Sequence, residues 1–251
     1  MYSILLDFLK GIITSCKINV FAKNMYYDPK LFRLVKKIIK YNIMMHLLPI
    51  MLVQLVWYLT GFSIESVLTI IAIPTSIFNT LFHLLHYMDL VNIVSTYSSK
   101  SKSGLQQLEL TSLAVTMSIY QIVIYLTTSL VNLLFYDKFY FISIFINFVI
   151  LAVYHSFYCY NNLWQYHKID IAYRIDMHEK LWPYYLGYGT ISTIIYLFSS
   201  KQYVMGIYNI YLVFGITLPF LLTTKYPKKE IQYPHIKMRI FSYITLCVIN
   251  L

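Results

Sequence analysis

The sequence predicts an all-α, polytopic membrane protein with about six membrane segments, some of them bent or hemi-penetrating, and both termini in the cytosol. Hydrophobic residues make up 59% of the 251 residues and charged residues only 12%, whereas soluble domains carry about 25% charged residues. The charged residues cluster between long uncharged stretches. This pattern is typical of chains in lipid, where a helix satisfies its own backbone polar groups.

Six stretches lack Lys, Arg, Asp and Glu for long enough to be membrane segments, since about 20 helical residues cross the hydrocarbon core. They are residues 41–64, 66–88, 110–136, 139–167, 181–200 and 202–224. Pro49 and Pro74 lie inside the first two stretches, and Pro219 lies inside the sixth. Because proline removes a backbone hydrogen bond and kinks a helix, we expect bending or hemi-penetration in these segments.

The basic residues predict the orientation of the chain, because cytosolic loops of membrane proteins are rich in Lys and Arg. With six crossings and a cytosolic N-terminus, 18 of the 20 basic residues lie in the cytosol, and only Lys138 and Lys201 lie opposite. The formal charge of +10 therefore indicates an anionic membrane surface as partner and not nucleic acid.

The chain divides into a basic amphipathic arm (1–42), a helical membrane domain (43–224) and a basic tail (225–251) with a short interfacial helix. Asp28 is the expected N-cap of the second helix of the arm, and Pro29 its first-turn residue. The apolar stripes of the two helices are Ile4, Leu5, Phe8, Leu9, Ile12 and Ile13, then Leu31, Leu34, Val35, Ile38 and Ile39. Such helices lie either on the anionic leaflet or against the floor of the bundle, and the pattern fits both.

Motifs for catalysis, metals or cofactors are weak throughout the sequence, so we expect a protein that is not an enzyme and needs no cofactor. His83, His86 and Asp89 share one helix face, which fits a packing contact better than a metal site. Gly187 and Gly189 lack the strand and third glycine of a dinucleotide site. Small residues at these positions instead predict close approach of a neighbouring helix.

Aromatic and charged residues alternate between the fourth and fifth apolar stretches. Trp164 precedes a run of mixed charges at 168–180, and Trp182 and Pro183 follow it. Aromatic residues are common at the ends of membrane spans, and Pro183 suits the first turn of a new helix. The pattern predicts a short charged helix along the cytosolic surface, either as a structural connection or as a surface for a partner protein.

The same residues carry a resemblance to a known family. The run 154–160 (YHSFYCY), Trp164 and His167, the run 179–189 (EKLWPYYLGYG) and the run 218–222 (LPFLL) are similar to motifs of the etoposide-induced transmembrane protein family. A weaker similarity covers 86–91 (HYMDLV). The family's glutamate in this signature is replaced by asparagine, around Asn161, which removes a charge at the end of the fourth stretch.

The resemblance implies an endoplasmic-reticulum membrane protein, without catalytic activity, that acts in macroautophagy through autophagosome maturation or contacts between membranes and with protein partners. The distant relation of that family to bacterial CysZ sulfate permeases leaves a small-anion permease or channel as the alternative. The residues to which the resemblance assigns a family-motif or interaction role are Tyr158, Cys159, Trp164, His167, Arg174, Glu179, Trp182, Pro183, Gly187, Gly189 and Asp89.

Overall fold

The computed structural model describes residues 2–61, 89–94, 123–124, 126–136, 139–167, 169–198 and 202–222. Within these ranges the chain forms helices joined by short connections and contains no strand. The all-α prediction is therefore confirmed for the described part of the chain. The second apolar stretch, most of the third, the residues His83 and His86, and the basic tail lie outside the described residues.

The helices with defined bounds are labelled in chain order. They are α1 (Tyr2–Ser15), α2 (Ile18–Tyr27), α3 (Pro29–Thr60), α4 (Tyr140–Tyr166), α5 (Ile171–Lys180), α6 (Trp182–Phe198) and α7 (Gln202–Leu221). Two shorter helical stretches occupy 89–94 and Leu126–Phe135.

Helix α3 begins as the sequence predicts. The Asp28 side chain accepts hydrogen bonds from the backbone N–H groups of Lys30 (2.7 Å) and Leu31 (3.3 Å), and Pro29 occupies the first turn. These bonds satisfy donors that have no partner within the helix. The helix then continues without interruption through Pro49 and ends at Gly61, whose φ of 67° places it in the left-handed region.

The apolar stripe at the start of α3 packs against the other helices and not against lipid. Leu31, Leu34, Val35 and Ile38 are buried, while the basic residues between them are exposed. The residues of the stripe belong to a core that contains residues of several other helices. Its further members are Phe21 of α2, Leu90, Val91 and Val94, Cys159 and Leu163 of α4, Tyr188 of α6, and Leu212, Val213, Ile216, Leu218 and Phe220 of α7. Of the two placements open for this helix, the structure therefore shows packing on the bundle.

Helix α4 is the one helix in the described ranges that is long and apolar enough to cross a membrane. The qualifying segment, Tyr140–Trp164, has 25 residues and contains an 18-residue stretch with a mean hydropathy of 1.8. At 1.5 Å per residue the segment is about 37 Å long. Helix α6 has 17 residues, or about 26 Å, which is shorter than the ~30 Å hydrocarbon core. Two shorter apolar stretches are the helix Leu126–Phe135 and the second half of α7, Ile210–Leu221.

Helix α4 exposes apolar side chains along its first half while it buries its polar ones. Phe141 and Phe145 are 84% and 67% exposed. Ser143 and Asn147 instead turn towards the preceding helix, where both donate hydrogen bonds to the Asn132 Oδ1 atom at 2.9 and 2.6 Å. An apolar exterior around a polar contact between helices is the arrangement that lipid favours.

Helix α1 packs along α6. A Cβ atom added to Gly11 would overlap the backbone of Tyr184 and Tyr188, and one added to Gly187 would overlap the backbone of Phe8. The two backbones therefore touch where both helices have glycine. The Tyr211 hydroxyl of α7 also donates to the carbonyl oxygen of Ser15, at 3.1 Å.

Candidate functional site

The residues that carry the strongest sequence motifs meet where α4, α5 and α6 join. We call this cluster the aromatic junction. It consists of Phe157, Tyr160 and Trp164 from α4, His178 from α5 and Tyr185 from α6.

Trp164 is at the centre of the aromatic junction and is only 1% exposed. Its ring meets those of Phe157 and Tyr185 edge to face, with centroids 5.8 and 5.6 Å apart. Such pairs add about 0.5–1.5 kcal/mol to the free energy gained by burial alone. Trp164, which the sequence predicts as an interaction residue, therefore packs in the interior where α4, α5 and α6 meet.

His178 is fixed within the junction by a stacked ring and a hydrogen bond. Its ring lies 4.4 Å from that of Tyr185 with an interplanar angle of 20°, and its Nε2 atom is 2.9 Å from Ser156 Oγ. The Ser156 hydroxyl donates its single proton to the Val153 carbonyl oxygen, at 2.8 Å. It must therefore accept from His178, which carries its proton on Nε2.

This geometry gives His178 a structural role. Because the hydroxyl proton of Ser156 points to a backbone carbonyl, His178 does not receive it as a general base would in a Ser–His nucleophile pair. Burial lowers the pKa of His178 to about 3, since a charged imidazole is disfavoured away from water. The ring is thus neutral at physiological pH.

Arg174 ties α5 to the end of α4. Its Nη1 group donates to Asn161 Oδ1 at 2.9 Å, and its Nε group donates to the Ile169 carbonyl oxygen at 2.6 Å. Burial lowers the pKa of the guanidinium, and the nearby carboxylate of Asp170 opposes that shift. The Asp170 side chain also caps α5 by accepting from the N–H of Ala172, at 3.1 Å.

The Asn161 amide oxygen supplies the acceptor for Arg174 at the end of α4. Because the amide is neutral, the connection between α4 and α5 is a hydrogen bond from a charged guanidinium and not an ion pair.

Helices α4 and α6 are joined at backbone distance beside the aromatic junction. A Cβ atom on Gly189 would overlap the Ala152 carbonyl oxygen. Next to this contact, His155 Nδ1 and Thr193 Oγ1 are 2.9 Å apart, and Thr193 donates to the Gly189 carbonyl oxygen. The predicted close approach of a helix at Gly187 and Gly189 is confirmed, by α1 at the first glycine and by α4 at the second.

Tyrosine hydroxyls connect α6 to α4 and to α7. Tyr160 and Tyr184 share a hydrogen bond of 2.8 Å between their hydroxyl groups. Tyr188 donates to the carbonyl oxygen of Gly215 in α7, also at 2.8 Å. Cys159 is buried against Gly215, and a Cβ atom added to Gly215 would lie 2.8 Å from the Cys159 sulfur.

The sequence-predicted residues fall into three groups by exposure. The buried ones are Cys159, Trp164, Glu179, Pro183, Gly187 and Gly189; Tyr158, Arg174 and Trp182 are half-buried; His167 and Asp89 are exposed. Asp89 belongs to the stretch 89–94, whose apolar residues join the α3 core and not the aromatic junction. The buried residues cannot form a surface for a partner, whereas Tyr173 and Lys180 of α5 are exposed.

Four of the five residues of the aromatic junction are not among the residues singled out from the sequence. Phe157 and Tyr160 lie inside the motif 154–160, Tyr185 lies inside 179–189, and His178 lies in the charged run 168–180. For Ser156, which contacts His178, the available signal is a small polar residue within a long uncharged stretch. The aromatic residues gave no such signal, because one sequence contains too many tyrosines and phenylalanines to show which rings meet. Among the described residues, no group of three His, Cys, Asp or Glu side chains could hold a metal ion.

Comparison with known proteins gives one similarity along nearly the whole chain. The chain is 40% identical to uncharacterized protein L211 of Acanthamoeba polyphaga mimivirus over 238 residues, which cover 95% of this chain and 90% of that protein. It is also 29% identical over 99 residues to Ectopic P granules protein 4 of Caenorhabditis elegans, covering 38% of this chain and 30% of the worm protein. No protein-family profile and no solved structure match the chain.

Proposed function

We propose that this chain, which belongs to the family of uncharacterized protein L211 of Acanthamoeba polyphaga mimivirus, is a polytopic membrane protein of the endoplasmic reticulum. In this proposal it has no catalytic activity and acts in macroautophagy, at the step of autophagosome maturation. The membrane part of the proposal is supported by α4, which has the length and hydropathy of a span, and by the asymmetry of the basic residues.

The observation that carries the role in autophagy is the convergence of the motif residues. Phe157 and Tyr185 come from two separate sequence motifs, 154–160 and 179–189, and both of their rings contact that of Trp164. In this proposal the motif residues act together because they pack into one buried cluster, as expected if the resemblance to the etoposide-induced transmembrane protein family reflects a common fold. The function follows by analogy with that family.

The partners in this proposal are anionic lipids of the cytosolic leaflet and a protein that contacts α5. The basic side chains of α3, including Lys30, Lys36 and Lys37, are exposed while the stripe between them is buried. They are therefore free to meet lipid headgroups, each with a gain of about 1 kcal/mol near an anionic surface. On α5, the Tyr173 side chain is 56% exposed. It therefore offers a large aromatic surface to a protein partner on the segment between two proposed spans.

The proposal is tested by expression in cells that lack their own etoposide-induced homologue. The tagged protein should label a reticular network and restore autophagic flux, measured as lysosome-dependent turnover of a lipidated autophagosome marker. Arg174→Ala should reduce rescue because it detaches α5 from α4, while Lys180→Ala, on the exposed side of α5, should leave folding intact. Surface or vacuolar labelling without rescue by the intact chain would overturn the proposal and lead to anion-flux measurements in liposomes.

A further inference from the structure

Helix α1 has three distinct faces. Gly11 and Ser15 are buried against the neighbouring helices. Asp7 and Lys10 form an ion pair of 2.9 Å on a second face. The third face is apolar and exposed; its members are Leu5, Leu6, Leu9 and Ile13, which are 57%, 38%, 43% and 61% exposed.

Helices α1 and α6 meet in backbone contact at a pair of glycines. Gly11 lies against the backbone of Tyr184 and Tyr188, and Gly187 lies against the backbone of Phe8 and Ile12. Helix α1 is about 21 Å long, at 1.5 Å for each of its 14 residues. The contact lies within the helix and not at its end, so the body of α1 lies beside α6.

The depth of this contact follows from the next helix. Gly189 of α6 touches Ala152 of α4, and Ala152 lies twelve residues from either end of the candidate span Tyr140–Trp164. Gly187 is two residues before Gly189, which is about 3 Å along the axis and about 200° around it. Helices α1 and α4 thus contact opposite sides of α6, near the level of the middle of α4.

We propose that α1 is inserted in the membrane beside α6, with Leu5, Leu6, Leu9 and Ile13 in contact with lipid acyl chains. This inference rests on the proposal that α4 crosses the membrane, because the middle of a span lies in hydrocarbon. Acyl chains are apolar and therefore accommodate apolar side chains such as these. The pairing of Asp7 with Lys10 matches the requirement that charges at membrane depth be neutralised by a partner.

This placement differs from that of an amphipathic arm lying flat on the leaflet. A flat helix would keep its whole length at the headgroup level. Here Phe8 and Gly11 of α1 lie against α6 at Gly187, near the level of the middle of α4, which is deeper than the headgroups.

The test uses a nitroxide spin label on single cysteines, in a chain whose Cys16, Cys159 and Cys247 are replaced by alanine, reconstituted in liposomes. The probe position is Leu9→Cys, with Leu5→Cys as a second probe of the same face. The lipid control is Phe145→Cys on α4, and the aqueous control is Tyr173→Cys on α5. Collisions with oxygen, which dissolves in acyl chains, are compared with collisions with a water-soluble nickel chelate.

The inference predicts an oxygen-to-nickel collision ratio at Leu9→Cys that is severalfold above that at Tyr173→Cys and comparable with that at Phe145→Cys. If Phe145→Cys reports lipid while both α1 probes report water, the inference is wrong and the membrane proposal stands. If Phe145→Cys itself reports water, the membrane proposal fails. Spin–spin broadening between α1 labels, with both reagents excluded, would instead assign the face to a second copy of the chain and overturn the inference.

Discussion

Gly189 of α6 lies against the carbonyl oxygen of Ala152 in α4, so closely that a single methyl group on the glycine would overlap that oxygen. The overlapped atom belongs to the backbone of α4 and not to a flexible side chain, so it cannot turn away. Any larger residue at 189 must therefore move one helix relative to the other, and the aromatic junction between the same helices would move with it.

Gly189→Ala should destabilise the protein by about 1–3 kcal/mol, the usual cost of overpacking. In an open helical position the same substitution would stabilise by about 1 kcal/mol, because alanine is the better helix former. The sign of the change therefore separates the two cases. Thermal unfolding in detergent micelles measures it, and a raised Tm for Gly189→Ala would show that α4 and α6 are not in backbone contact.

The pH dependence of stability should reveal the buried His178. Its pKa in the folded protein is about 3, below the unfolded value of about 6.5. The unfolded chain therefore binds more protons between these values, so stability that is complete above pH 6.5 is lost as the pH falls towards 3. By linkage, His178 should make the protein about 2 kcal/mol less stable at pH 5 than at pH 8.

The matched variant for this measurement is His178→Gln, which keeps a side-chain N–H near Ser156 but cannot take up a proton. The difference between wild type and variant, followed by thermal unfolding from pH 8 to pH 5, isolates the contribution of this one residue. The variant should have the flatter profile. Identical profiles would mean that His178 is solvated in the folded protein.

Asn161 and Arg174 should be energetically coupled. A double-mutant cycle with Asn161→Ala and Arg174→Ala should give a coupling energy of about 0.5–3 kcal/mol, as for other residues in one hydrogen-bonded network. The control is the exposed ion pair Asp176–Lys180 on the same helix, whose cycle should give at most about 0.5 kcal/mol. Equal coupling in the two cycles would contradict the assignment of Asn161 and Arg174 as the connection between α4 and α5.

Tyr188→Phe should remove one hydrogen bond and little else. Loss of the hydroxyl leaves the Gly215 carbonyl oxygen without the Tyr188 donor, and we expect a cost of about 0.5–1.5 kcal/mol. Tyr173→Phe, in an exposed position, serves as the control and should change the Tm very little. Equal Tm values for both variants and wild type would show that the α6–α7 hydrogen bond contributes nothing to stability.

Local features of the structure could be read from the sequence. The cap at Asp28, the stripe Leu31–Ile38 and the start of α6 around Pro183 depend on residues within a few positions of one another. Helix geometry alone relates such neighbours, so their types and spacing are sufficient to predict them.

Tertiary contacts could not be predicted in the same way. The Tyr211 hydroxyl meets the Ser15 carbonyl across 196 positions, and Ser156 meets His178 across 22. Nothing local in the sequence distinguishes these partners from other tyrosines or serines. For the same reason the motif residues were read as a surface for partners, although Trp164 and Glu179 are buried by the packing of α4, α5 and α6.

The claim on which the account depends most is that α4 crosses the membrane of the endoplasmic reticulum. Single cysteines at Tyr136, before α4, and at Tyr173, after it, can be treated with a membrane-impermeant maleimide in cells whose plasma membrane alone has been opened with digitonin. We expect labelling at Tyr173→Cys in these cells, and labelling at Tyr136→Cys only after the reticulum membrane is also opened. Labelling of both positions at the first step would show that α4 does not cross the membrane.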